Sequence, residues 1–125
     1  MNKIAIVDDA ADNRDFLYYL LRDEYHVLTY ASGEDALNHI HQDPPDLIIM
    51  DIWLHGIDGI AVLQHLRRDA QLAPTPVIAL TANAMIGDRE KYLAAGFDEY
   101  VSKPILRVEA FLTTVRGFLA QREPK

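Results

Sequence analysis

Leu47-Ile48-Ile49-Met50-Asp51 is a run of four apolar residues closed by a carboxylate. Four apolar residues in a row lack the alternation of a half-exposed strand, and the run is too short to stand as a helix. They suit a strand covered on both faces, as in a parallel sheet flanked by helices. Similar runs lie on either side, at residues 4–7, 27–30, 77–80 and 100–101. Each is rich in β-branched or aromatic residues and bounded by polar or turn residues, so each reads as a strand.

The stretches between these runs read as amphipathic helices. The first covers about 13–23, with Phe16, Leu17, Leu20 and Leu21 on one face. The second opens at Ser32, where Asp35 three residues on resembles a capping box, and turns Ala36, Leu37 and Ile40 inward. The third covers about 59–69 and buries Val62, Leu63 and Leu66. The fourth, about 83–95, is the weakest, because Gly87 inside a helix costs about 1 kcal/mol relative to alanine. Gly96 is placed to end it. The fifth covers about 106–122, with Val108, Phe111, Leu112, Val115 and Leu119 at helical spacing. Strict alternation of strand and helix implies an α/β fold, a doubly wound and mostly parallel sheet of five strands with helices on both faces.

With 125 residues the chain fits one domain. Residues 1–122 are expected to form it and 123–125 a short tail, with no output domain; Met1 directly before the first strand favours a natural start. The absence of cysteine excludes disulfides and thiolate metal sites and suits a reducing cytoplasm. No apolar run approaches the ~18 residues of a membrane span, and the N-terminus does not read as a signal peptide. A formal charge of −7 and a pI near 5.0 disfavour nucleic acid as a partner. The Arg67-Arg68 pair reads as a solvated helix face.

The placement of polar residues points to chemistry. Asp8 and Asp9 end the first strand, Asp51 the third and Thr81 the fourth, while Lys103 lies just past the fifth. The second strand ends at Ala31-Ser32 and brings no charge, as suits an outer strand. In a parallel sheet all carboxyl ends lie on one edge, where ligands bind. Each residue alone has an ordinary reading, such as a helix cap or turn former for Asp; their joint arrival at one rim does not. Clustered carboxylates repel unless a cation sits among them, and an all-oxygen set favours a hard ion such as Mg²⁺. Lys103 supplies a mobile charge for a phosphate, Thr81 a hydrogen bond, and one carboxylate a nucleophile, which together serve phosphoryl transfer. His26, His39, His41 and His65 lack metal-ligand spacing.

The pieces Ile6-Val7-Asp8-Asp9, Leu47-Ile48-Ile49-Met50-Asp51, Asp58-Gly59, Leu80-Thr81-Ala82 and Tyr100-Val101-Ser102-Lys103-Pro104, in this order, resemble the receiver domains of bacterial two-component response regulators. The resemblance runs from Lys3 to about Leu119. It implies a flavodoxin-like strand order 2-1-3-4-5 and makes Asp51 the phosphoacceptor. Asp8, Asp9 and Asp51, with the backbone carbonyl of Trp53, are then the Mg²⁺ ligands, and Lys103 binds the phosphate. Thr81 and Tyr100 become the switch pair, and the Lys103–Pro104 bond is cis. The implied phosphodonor is a histidine kinase or phosphotransfer protein. Output is implied through the face of the fourth helix, fifth strand and fifth helix, from a monomer or a phosphorylation-dependent dimer. The Thr81-Ala82-Asn83-Ala84-Met85 stretch looks like receivers of hybrid kinases and of single-domain regulators of the cell-division type.

Two positions depart from the family. His55 stands where proline is usual, which frees the loop after Asp51; it reads as a solvated loop residue more readily than as a pH sensor. Trp53 is bulkier than most residues at its place. Its ring shields an acyl phosphate from water, together with Asn83, or else it docks a partner or packs on the loop. Three rival readings stand beside the receiver. A pseudo-receiver interaction module would normally lack part of the acidic set or the lysine. A metal-dependent phosphatase of small molecules would need an acid two residues past Asp51. A flavin-binding domain would want a Ser/Thr/Gly loop where Asp8-Asp9-Ala10-Ala11-Asp12 stands.

Overall fold

A computed structural model of the chain describes residues 2–54, 56–82 and 85–120. The strands are β1 (Lys3–Val7), β2 (His26–Tyr30), β3 (Leu47–Asp51), β4 (Val77–Thr81) and β5 (Glu99–Ser102). The helices are α1 (Ala11–Leu21), α2 (Gly33–His39), α3 (Gly59–Arg68), α4 (Asp88–Ala95) and α5 (Val108–Ala120), with a tight helical turn at Ile40–Gln42. All strand pairs are parallel, in the order β2-β1-β3-β4-β5. This is the doubly wound sheet expected from the alternation, and β2 is indeed an outer strand.

Successive side chains of a strand point to opposite faces, and here both faces are apolar. Ile4, Ile6, Leu47, Ile49, Ile78 and Leu80 face α1 and α5, meeting Leu17, Leu21, Phe111, Val115 and Leu119. Ala5, Val7, Ile48, Met50, Val77 and Ala79 face α2, α3 and α4, meeting Ala36, Val62, Leu63, Leu66 and Tyr92. Every residue of β3 and β4 is buried. That accounts for the unbroken apolar runs: no face of these strands meets water.

Helix ends follow local chemistry. The Ser32 hydroxyl accepts from the Asp35 N–H at 3.0 Å, and Asp58 accepts from the Ala61 N–H at 2.9 Å, so α2 and α3 start on capped turns. Gly96 ends α4 at φ 117°, a left-handed conformation open to glycine at little cost.

Four expectations are corrected. Helix α1 runs from Ala11 to Leu21 rather than 13–23, because the Asp8 carboxylate accepts from the Ala10 N–H at 2.9 Å and starts the turn early. Its buried stripe is Leu17 and Leu21, whereas Phe16 is 41% exposed. Helix α4 begins at Asp88, and Gly87 is not inside it: at φ 89° it forms the turn before it, so its helix penalty does not arise. Asn83 and Ala84, the expected start of that helix, lie outside the described residues, as does Arg122 at the expected end of α5. Finally, Arg67 is not a solvated helix residue. Its guanidinium donates to the carbonyls of Ala73, Thr75 and Gly96 at 2.9, 2.6 and 2.9 Å and to Asp98 at 2.9 Å. Arg68 is exposed, as expected.

Arg67 thus ties the end of α3 to the segments entering β4 and β5. Replacing it by methionine keeps the apolar stem but leaves these acceptors short of donors. Urea denaturation of Arg67→Met is expected to show a loss of about 2 kcal/mol; a change within the ~0.5 kcal/mol usual for plain surface substitutions would show the tie to be idle.

Candidate functional site

The strand ends deliver the polar residues to one edge. Asp51 is the last residue of β3 and Thr81 the last of β4. Asp8 and Asp9 directly follow β1, and Lys103 directly follows β5. The backbone is pinned there by hydrogen bonds from Asp8 N–H to Tyr30, Ile52 N–H to Leu80 and Lys103 N–H to Thr81, at 3.1, 3.0 and 2.7 Å. Gly59 allows the start of α3 to press on the same edge. A Cβ at position 59 would lie 2.8 Å from both the Asp51 carbonyl oxygen and Ile52 Cα, closer than atoms pack.

Asp8, Asp51 and Thr81 are buried, and Asp9 is half-buried. One carboxylate oxygen from each of Asp8, Asp9 and Asp51 falls within 4.8 Å of the others. The Lys103 ammonium bridges two of them, donating to Asp8 Oδ2 and Asp51 Oδ2 at 3.0 Å each. Asp51 Oδ1 accepts from the Trp53 N–H at 3.0 Å. Trp53 as a whole is 57% exposed. The Lys103–Pro104 bond is cis, as the resemblance implies. His55 lies outside the described residues, so the expectation placed on it does not meet the structure.

Two further residues belong to the site that the pattern of strand ends did not single out. The Asn13 carboxamide donates to Asp8 Oδ2, and the Arg14 guanidinium donates to the Asp8 backbone carbonyl at 2.7 Å. Both sit on the first turns of α1, which the early start of that helix carries back over the rim. The spacing of five and six residues after Asp8 was the available signal. Phe16, from the next turn, lines a surface cleft of about 560 Å³ with Asn13, Ala82, Lys103, Pro104 and Ile105.

The electrostatics show a site short of positive charge. Burial pushes the Asp51 carboxyl above its usual range, the bonds from Lys103 and the Trp53 N–H pull it down, and the Asp8 charge pushes it up again; the net direction is upward. Burial lowers the Lys103 ammonium, but its bonds to Asp8 and Asp51 outweigh that and raise it. The two directions are compatible, because two carboxylates share one ammonium. The three carboxylates of the cluster exceed that ammonium by two charges, and their donors are all hard oxygen atoms. A small divalent cation fits that deficit and that chemistry.

The family model for the response regulator receiver domain matches residues 4–116. The chain belongs to this family. It is 41% identical over 95 residues to the polar-differentiation response regulator DivK of Brucella ovis, covering 76% of each chain. It is 43% identical over 103 residues to a protein of Guillardia theta named "Probable transcriptional regulator ycf27", covering 82% of this chain. The match takes in only 39% of the length of that relative. Among solved structures, the chemotaxis protein CheY4 of Vibrio cholerae superposes with a TM-score of 0.86 at 28% identity, over 95% of this chain and 99% of that one. The chain is thus a receiver of the two-component response regulators, with their strand order 2-1-3-4-5.

The raised Asp51 pKa sets a sign for stability. A carboxyl that is harder to ionise in the fold than in the unfolded chain destabilises the fold once ionised. In metal-free buffer at neutral pH, Asp51→Asn is therefore expected to raise the thermal midpoint. The gain should shrink as the pH falls through the raised Asp51 pKa and vanish only below the ordinary carboxylate range, where the carboxyl is neutral in both the folded and the unfolded chain. A lower midpoint for Asp51→Asn at neutral pH would show that the bond to Lys103 outweighs burial.

Proposed function

We propose that the chain is a phosphorylation switch in which Asp51 accepts a phosphoryl group, in a Mg²⁺-dependent reaction, from a histidine kinase or phosphotransfer protein. The observation that carries this reading is the Lys103 ammonium shared by the buried carboxylates of Asp8 and Asp51, with Asp9 beside them.

Each residue has a task in the transfer. An oxygen of Asp51 attacks phosphorus, forming an acyl phosphate as the bond to the donor nitrogen breaks and the imidazole leaves with the electron pair. Burial favours an in-line approach from the open rim and excludes stray water. The Trp53 N–H, bonded to Asp51 Oδ1, fixes the carboxylate plane. Lys103 stands where its ammonium is on hand for an oxygen of the incoming group, and the Thr81 hydroxyl is the nearby donor for another. Asp8, Asp9, Asp51 and the Trp53 carbonyl would hold Mg²⁺. When bound, the ion neutralises charge on the phosphoryl oxygens. Asn13 and Arg14 hold Asp8 at both its carboxylate and its carbonyl. Tyr100 and Thr81 form the switch pair, and output leaves through the α4–β5–α5 face to a protein partner in the cytoplasm. The chain transfers the group to itself and does not turn over external substrates.

Incubation with Mg²⁺ and acetyl phosphate, followed by intact mass, is expected to show one phosphate adduct that is absent in Asp51→Asn and does not form when the metal is chelated beforehand. Lys103→Met should reduce the rate of adduct formation by at least tenfold. If wild type forms no adduct and binds no Mg²⁺, the chain is a pseudo-receiver. Trp53, exposed beside the carboxylate, should slow hydrolysis by shielding the acyl phosphate. The phosphoryl half-life is expected to be shorter in Trp53→Asn; an equal or longer one would assign Trp53 to partner docking instead.

A further inference from the structure

Opposing contacts hold Tyr100 in place. Its ring packs against the apolar layer under α2, α3 and α4. It lies parallel to the ring of Tyr92, with centroids 5.6 Å apart and planes 11° apart. Its hydroxyl is buried yet has no hydrogen-bond partner among the described residues. A buried phenol normally finds a partner, and one left bare opposes the inward position. The Asp88 carboxylate lies close enough to add to burial in raising the phenol pKa. Asp88 Oδ2 accepts from the Met85 N–H at 2.9 Å, which holds that carboxylate at the start of α4 beside the phenol. Face contact with Tyr92 is therefore a main hold on the ring.

Tyr92 is the more firmly fixed of the two rings. It is 4% exposed. The Phe97 ring stands edge-on to it at 6.2 Å and 78°, and the Lys91 ammonium lies 5.2 Å from its centroid. Its own carbonyl accepts from the Phe97 N–H at 3.2 Å, which ties it into the turn that ends α4.

We propose that Tyr92 is a positioning residue whose ring holds Tyr100 inward in the unphosphorylated protein, so that the side-chain rotamer at position 100 is set by α4 as well as by Asp51. The proposal rests on the reading of Tyr100 as the switch residue. It adds that this receiver begins with its aromatic switch largely in place. Phosphorylation then has less of the ring equilibrium left to shift, and the Tyr92–Tyr100 stack makes α4 and β5 respond together.

The test is NMR of the full chain with ring-labelled tyrosine. In wild type without phosphodonor, the Tyr100 ring protons should be shifted upfield by the Tyr92 face, with one dominant χ1 rotamer. Tyr92→Phe keeps the stack and should keep both signals. Tyr92→Leu should raise the outward rotamer at least threefold, and Mg²⁺ with beryllofluoride, a mimic of the acyl phosphate, should restore the inward ring. Unchanged rotamer populations in Tyr92→Leu would overturn the proposal. Should that variant not fold, an absent ring-current shift in wild type overturns it equally. Beryllofluoride that binds without moving Tyr100 in Tyr92→Leu would overturn the link to phosphorylation. Failure of beryllofluoride to bind would count against Asp51 as the acceptor and leave the rotamer result to decide on Tyr92.

Discussion

The structure depends on parallel pairing. Because β1, β3, β4 and β5 all run the same way, their carboxyl ends meet at one edge, and residues as distant in sequence as Asp8 and Lys103 touch. Both faces of the inner strands are apolar and covered. Polar groups therefore have one place to go, the rim where the strands stop. The cost of crowding carboxylates there is offset in part by one ammonium, and the remaining deficit suits the rim to a cation.

Much of this was legible in the sequence because two signals coincide in each unit. A short, continuous apolar run marks a doubly covered strand, and the first polar residue after it marks the rim. The parallel sheet and the convergence of Asp8, Asp9, Asp51 and Lys103 follow from that coincidence, whereas the strand order was implied by the family resemblance. The misses are local. Phe16 shares an apolar helical stripe with Leu17 and Leu20, and periodicity cannot tell a core ring from one that lines a cleft. Gly87 in a charged stretch reads as a weak helix interior, whereas its left-handed backbone makes it the turn before the helix.

Arg67, Asn13 and Arg14 were missed for a different reason. Each is polar on an amphipathic helix, where solvent exposure is the ordinary outcome. Arg67 reaches the carbonyl of Gly96, far along the chain, and such a partner has no signature in its own neighbourhood; for Asn13 and Arg14 the only signal was their spacing from Asp8. Tertiary hydrogen bonds from long side chains are the part of a fold that one-dimensional patterns describe least well.

The Arg67 anchor also gives α4 a direction. At its C-terminal end, the Gly96 carbonyl and Asp98 are clasped by a guanidinium that also holds Thr75, and the Gly96 and Phe97 N–H groups close the last turn. At its N-terminal end, the helix follows the glycine turn with exposed Met85 and Ile86, and Arg89 ties it to β5 through an ion pair with half-buried Glu99 and a 3.4 Å bond to the Tyr100 carbonyl. Half of that pair faces solvent, so it holds less firmly than the clasp of several bonds at the other end. A rod clamped at one end and lightly tethered at the other behaves as a lever with its fulcrum at Gly96. Small displacements near Tyr92 are therefore magnified toward Gly87, at the end of α4 farthest from the clamp.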